Sequence, residues 1–280
     1  MPELPEVETT RLGIYPHLFQ QVIDSIIIRE SRLRWPVASE IPQLFKNKKI
    51  TQISRRSKYL IISCDDLKLM IHLGMSGSLR IIFSEQKKSF SPEKHDHFDI
   101  ILKNGTILRY RDPRRFGSLL HFSGESEQHK LLSSLGPEPL SEDFLALDFY
   151  KNSRGKKLTI KQYIMDAHQV VGVGNIYANE TLFLTGIRPG KAAGRVSYKL
   201  FKLLHKTIIE VLKQAIEMGG TTLKDFTAPT IDSNKNQAGY FQQQLFVYDR
   251  AEKKCKICNS QIKSKKIAQR SSFYCPNCQQ

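Results

Sequence analysis

Residues 59–72 read YLIISCDDLKLMIH, two aliphatic, β-branched runs punctuated by Asp65-Asp66. Short runs of this kind, bounded by turn formers, predict β-strands at 59–64 and 68–73. The same rhythm extends outward on both sides. Strand-like runs recur at 22–29 (VIDSIIIR), 50–56, 77–83, 97–103, 106–111 and 117–122, and Asn104-Gly105 supplies a favoured hairpin turn. Strands repeating at this spacing predict a β-sandwich. Ahead of them, residues 3–19 predict a helix, with Pro16 leaving its last turn in doubt. Beyond them, 123–155 turns rich in Ser, Glu, Pro and Gly, with Gly136-Pro137 as a hinge. Helical spacing follows at 141–150, 159–165, 176–185 and 198–218, the last ending on Gly219-Gly220. The class expected is α+β: an N-terminal β-sandwich flanked by helices over 1–137, a helical domain over 138–239, and a metal-binding segment over 240–280. Residues 227–239 (TAPTIDSNKNQAG) read as a loop.

The 280 residues carry 43 Lys+Arg against 27 Asp+Glu, a net charge of +16, which draws a protein to a polyanion and makes that binding salt-dependent. Nucleic acid is the leading partner. No apolar run approaches the ~18 residues of a membrane span, and the acidic start lacks the regions of a signal peptide, so the expected location is the cytoplasm.

Four of the five cysteines form Cys255-x2-Cys258 and Cys275-x2-Cys278, the spacing of two knuckles closing over one tetrahedral ion. The expected cofactor is one structural Zn2+, since four thiolates leave no open position. Disulfides are the alternative, disfavoured in a cytoplasmic chain. Cys64, inside an apolar run, reads as a buried, inert strand residue. A dense basic run accompanies the finger, from Lys253 and Lys254 through Lys256, Lys263, Lys265 and Lys266 to Arg270; its ordinary reading is a solvated face.

The chain opens MPELPEVETT. Removal of Met1 would leave Pro2 as a secondary amine beside the carboxyl of Glu3. The positive end of the following helix lowers the pKa of such an amine, which can then attack a sugar carbon and form a Schiff base. The ordinary alternative is a helix start, where proline is common and Glu3, Glu6 and Glu8 simply suit the helix dipole.

The segments PELPEVET, HLGMSG, DPRRFG, VVGVGNIYANE, GGTTLKDF, GYF and AQRSSFYCPNC, in this order along essentially the whole chain, resemble the formamidopyrimidine-DNA glycosylase family. The resemblance implies removal of 8-oxoguanine and ring-opened purines from double-stranded DNA, strand cleavage by β,δ-elimination, and a monomer. It implies Pro2 as nucleophile and Glu3 as proton shuttle, with Glu6 as a second acid in the pocket. Lys58, His72, Asn175 and Arg270 match positions that pinch the phosphates around the extruded nucleotide, Lys58 and Arg270 being counted with the catalytic set. Met75, Arg114 and Phe116 match the side chains that fill the gap in the duplex; without the resemblance, Met75 and Phe116 would read as core. Asn175 lies in an expected helix-two-turn-helix element, and Lys161 matches a lysine linked to processing the oxidised base.

Two other readings stay open. A sister endonuclease VIII-like enzyme for oxidised pyrimidines shares the proline chemistry, and a non-catalytic damage-binding zinc protein would need neither Pro2 nor Glu3. One departure from the family is the longer stretch between Phe226 and Gly239, where a lesion-capping loop is expected.

Overall fold

The computed structural model describes residues 2–89, 91–220 and 245–280. The loop at 227–239 and the boundary drawn near 239 lie outside them. Among the described residues the chain divides into one compact unit of 2–133 with 219–220 and a second of 134–218 with 245–280.

The first unit opens with α1 (Leu4–Leu18) and continues through β1 (Ile23–Ile28), α2 (Ile41–Phe45), β2 (Gln52–Arg56), β3 (Tyr59–Cys64), β4 (Leu67–His72), β5 (Ser78–Ile82), β6 (Asp96–Leu102), β7 (Ile107–Arg111) and β8 (Ser118–Ser123). Two four-stranded sheets form, in the orders β1-β6-β7-β5 and β2-β3-β4-β8, with neighbouring strands antiparallel. The expected strands pair as a sandwich around one core, in which Ile26, Leu79, Phe98 and Leu108 of one sheet join Ile53, Leu60, Ile71 and Leu119 of the other. The β3–β4 hairpin turns through Asp65 at φ 55 and pairs Tyr59 with His72. Leu60 and Ile62 are buried on one face of β3 and Ile61 on the other, which is why this strand is continuously apolar and does not alternate.

Helix α1 buries Leu4, Val7, Ile14 and Leu18. Pro16 does not end it, because a proline so near the terminus removes only one late bond, and Phe19 N–H still reaches Tyr15 O at 3.0 Å. Helix α2 escapes the sequence reading: five residues carry no helical period, although Ile41 and Phe45, one turn apart, are both buried.

The second unit holds α3 (Ala146–Lys151), α4 (Ile160–Met165), α5 (Asn175–Leu184) and α6 (Tyr198–Glu217), followed by the hairpin of β9 (Lys263–Ile267) and β10 (Arg270–Tyr274). Thr159 caps α4 through a capping box and Ser197 caps α6, whose Phe201, Leu204, Ile208, Val211 and Ala215 form one buried stripe. Helix α5 holds the finger through buried polar groups. The Glu180 carboxylate accepts the N–H groups of Phe246, Val247 and Tyr248 at 2.7, 3.0 and 2.8 Å, and Asn179 Oδ1 accepts that of Phe273 at 2.8 Å. Burial pushes the Glu180 carboxyl above the usual carboxylate range even though these three donors favour its charge.

The β9–β10 turn carries two consecutive non-glycine residues in the left-handed region, Ala268 at φ 46 and Gln269 at φ 61. Two-residue turns of this hand favour Asn-Gly, and each unsuitable residue stores of order 1 kcal/mol. Gln269→Gly is expected to raise the unfolding midpoint of the zinc-loaded protein, and a lowered midpoint in calorimetry would show that the tip is unstrained.

Candidate active site

The start of α1 is built as a buried acid pair. Glu3 is its N-cap and Glu6 its third residue, and Glu3 N–H donates to Glu6 Oε2 at 2.8 Å in a capping box. Pro2 is buried, and the two acids are 2% and 0% exposed. Glu6 thus does the structural work of a helix start. Gly220, at φ +78, passes so close that a Cβ there would lie 3.2 Å from Glu6 Oε1. With Met1 removed, the amine of Pro2 would sit at the positive end of a 15-residue helix next to a buried carboxyl.

Lys58 and His72 face one another electrostatically. Burial, then Lys58 and then Arg34, push the His72 imidazole down to about 4, so it is neutral near pH 7. Its Nδ1 accepts Gly74 N–H at 2.9 Å, which leaves Nε2 carrying the proton as a neutral donor. Arg34, Lys58 and His72 therefore suit an oxyanion, and Arg34 was not singled out from sequence. Its only prior sign was a place in the polar run RESRLRW. Lys58 follows Ser57, a left-handed residue at φ 55. The Ser57 carbonyl accepts from Arg55 Nη1 at 2.9 Å, and Arg55 Nε donates to Glu8 at 2.9 Å. Burial opposes ionisation of Glu8, yet Arg11 and Arg55 outweigh it and hold the carboxyl below its ordinary value.

Met75 and Phe116 are not core residues: they are 37% and 47% exposed, at the tips of two loops. The guanidinium of Arg114 lies 4.9 Å from the Phe116 ring centroid. The fully buried Asp112 joins both loops. Its Oδ1 accepts Ser76 Oγ at 2.6 Å and Arg114 N–H at 3.2 Å, while Oδ2 accepts Gly117 N–H at 2.9 Å and Tyr110 OH at 3.1 Å. The loops meet so closely that a Cβ on Gly74 would fall 2.4 Å from Gly117 N, and one on Gly117 would fall 1.7 Å from Tyr110 Oη. Sequence reading missed Asp112, whose signal was an Asp-Pro turn opening.

In the second unit, Asn175 is the first residue of α5, after Gly174, which has no side chain to cap it. Asn175 Nδ2 donates to Ser271 O at 3.1 Å. Arg270 is exposed at the start of β10, beside the strained tip. Lys161 is placed differently from a residue reaching a base: it is 1% exposed, and its Nζ donates to Ser271 O at 2.8 Å and Ser272 Oγ at 2.7 Å. Both Lys161 and Asn175 thus hold the backbone next to Arg270.

The Sγ atoms of Cys255, Cys258, Cys275 and Cys278 lie within 4.8 Å of one another, with Cys255–Cys278 at 3.9 Å and Cys258–Cys275 at 3.4 Å. These spacings are far too long for disulfides and suit Zn–S bonds of about 2.3 Å in a tetrahedron. Ile257 N–H and Cys278 N–H point at Cys255 Sγ and Cys275 Sγ, both at 3.4 Å, as donors suited to thiolates. The site fits one structural Zn2+. Cys64, by contrast, is buried in β3, and burial pushes its thiol up to about 12.

Two outcomes test this geometry. As pH falls from about 6.5 to about 4, the unfolded chain binds a proton that folded His72 refuses, so stability declines through that window. Denaturant unfolding should show wild type losing stability relative to His72→Gln between pH 7 and pH 5, whereas parallel curves would mean that His72 titrates normally. Cys275→Ser should release zinc, measured by metal analysis, and lower the melting of the second unit while near-ultraviolet signals of the β-sandwich persist.

Comparison with known proteins matches three segments: the formamidopyrimidine-DNA glycosylase N-terminal domain at residues 1–119, its H2TH domain at 135–227, and the zinc finger found in FPG and IleRS at 252–280. The chain is 50% identical to the formamidopyrimidine-DNA glycosylase of Alcanivorax borkumensis and 48% identical to that of Hahella chejuensis, each over the whole of both chains. The structure resembles that of the Lactococcus lactis protein complexed with Fapy-dG containing DNA, with a TM-score of 0.89, 35% identity and 100% of both chains covered. It also resembles the Thermus thermophilus protein, with a TM-score of 0.86, 32% identity and 99% and 98% of the two chains covered. With its fold, its four-cysteine metal site and this identity along its full length, the chain belongs to the formamidopyrimidine-DNA glycosylase family of DNA repair enzymes.

Proposed function

We propose that the mature protein binds double-stranded DNA, excises oxidised purines such as 8-oxoguanine and formamidopyrimidines through a Schiff base on Pro2, and cleaves the strand by β,δ-elimination. The observation carrying this reading is a proline at the positive end of α1 with the buried carboxyl of Glu3 beside it.

In this mechanism the Pro2 nitrogen bonds to C1′ as the C1′–N bond to the base breaks, and the base leaves with a proton. Glu3 protonates the ring oxygen as the sugar opens, giving an iminium. Loss of a C2′ proton then expels the 3′ phosphate, a second elimination expels the 5′ phosphate, and water releases the sugar fragment from Pro2. Lys58, His72 and Arg34 would hold a phosphate near the reacting sugar, and Asn175 and Arg270 would hold the backbone from the second unit. Met75, Arg114 and Phe116 would fill the gap left by the extruded nucleotide, a use that accounts for large apolar side chains held exposed on ordered loops. Glu6 and Lys161 act as positioning residues, the first through the capping box and the second through the backbone at Ser271. The segments 1–137, 138–239 and 240–280 would serve as catalytic, helix-two-turn-helix and finger domains of a monomer acting on the DNA of the cytoplasm.

Incubation of the mature protein with 8-oxoguanine duplex and borohydride should leave a stable adduct that peptide mapping places on Pro2. Glu3→Gln should slow base release by about 100-fold or more, the range of general acid catalysis. An adduct on a lysine would reassign the nucleophile, and faster excision of an oxidised pyrimidine would reassign the substrate.

A further inference from the structure

A cleft of about 400 Å3 opens on the second unit, between residues 188–191 and the face of the finger hairpin that carries Lys265, Ile267 and Tyr274. No role described so far uses it. Its walls are fixed. Arg188 donates from N to Gln280 O at 3.0 Å, from Nε to Gln279 O at 3.0 Å and from Nη2 to Pro276 O at 3.1 Å, while Lys191 O accepts Ile160 N–H at 2.7 Å. Such a volume lies within the roughly 300–1,000 Å3 of small-molecule sites, and a preformed cleft saves an occupant the cost of ordering it.

The lining has a definite chemistry. Pro189, Ile267 and the Tyr274 ring make an apolar floor, Arg188, Lys191 and Lys265 make a cationic rim, and no Asp or Glu side chain lines it. The Arg188 guanidinium lies 6.0 Å from the Tyr274 ring centroid, so ring and cation lie side by side. An occupant must be flat and apolar in one part and anionic in another. A base with its phosphate meets both demands, because bases stack on aromatic rings in basic grooves without regard to sequence.

Location adds a second argument. Ile267 also lines a neighbouring cleft of about 170 Å3, together with Lys161, Gln162 and Arg270. A strand held by Arg270 reaches the larger cleft across this one residue.

We propose that the cleft is a nucleotide subsite that takes an unpaired base and its phosphate from DNA flanking the lesion. The proposal rests on the DNA-binding reading above and deepens it. The subsite would retain a frayed or single-stranded flank, such as a lesion near a strand end would present.

The test compares a blunt duplex with the same duplex bearing a short single-stranded extension, by fluorescence anisotropy on the full zinc-loaded protein. The extension should tighten binding by about tenfold, within the range of one or two stacked bases. Tyr274→Leu and Lys191→Glu should each abolish that ratio. Lys191 lies outside the finger, so the second variant remains decisive if the first loses zinc. Suppression of the extension's advantage by dAMP, with blunt binding intact, would support the same subsite and show that it also accepts free nucleotides. An extension that adds nothing in wild type, or a ratio that survives Lys191→Glu, overturns the subsite, whereas failure of wild type to bind blunt duplex overturns the DNA reading itself. Saturable binding of an acidic peptide ending in Phe, lost in Lys191→Glu and unaffected by dAMP, would overturn the proposal in favour of a protein dock.

Discussion

The buried carboxylate of Asp112 is the constraint on which the reactive face of the β-sandwich depends. Its two oxygens gather Ser76 from one loop, Arg114 and Gly117 from another and the Tyr110 hydroxyl from the core. A buried carboxylate is tolerable only when its lone pairs are filled, so the loops must converge on it. Glycines at 74 and 117 make the convergence sterically possible. Exposure of Met75 and Phe116 follows: a loop held this firmly from beneath can present an apolar tip that would otherwise collapse into the core.

Similar logic governs the second unit, with the polar groups arranged as a set of holds on a small finger. A finger of this size has little apolar core, limited to residues such as Phe183, Val247, Cys255, Ile262 and Cys275. Zinc supplies one constraint and helix α5 supplies another through Asn179 and Glu180. Lys161 and Asn175 add a third at Ser271. Each hold ends close to Arg270 or to the strands leading to it, so the rigidity is concentrated where a phosphate contact would need it. The strain at Ala268 and Gln269 sits at the same tip, where it is over-determined by these bonds.

Electrostatics divide labour between the groups. A net charge of +16 gives long-range attraction to a polyanion. Close contact uses something finer, since His72 is kept neutral by burial and by the cations beside it, and serves as a donor that carries no charge. Glu8 spends its charge on Arg11 and Arg55, fixing the turn ahead of Lys58.

Much was legible in the sequence because the signals were local. Strand runs and their turns, the caps of the helices and the two Cys-x2-Cys knuckles are properties of a few adjacent residues, and the structure has strands, helices and clustered thiols there. Pro2 and Glu3 could be read the same way, since a chain terminus and its neighbour need no folding to be adjacent. Helix α2 was too short to carry a period. Tertiary structure alone decided that Met75 and Phe116 stand exposed, that Lys161 is buried beneath the finger hairpin, that Glu6 closes a capping box, and that Arg34 joins Lys58 and His72. Burial and hydrogen-bond partnership arise between residues far apart in the chain, as Asp112 with Ser76 and Lys161 with Ser272 are, and no local pattern encodes which distant group will complete a polar atom's bonding.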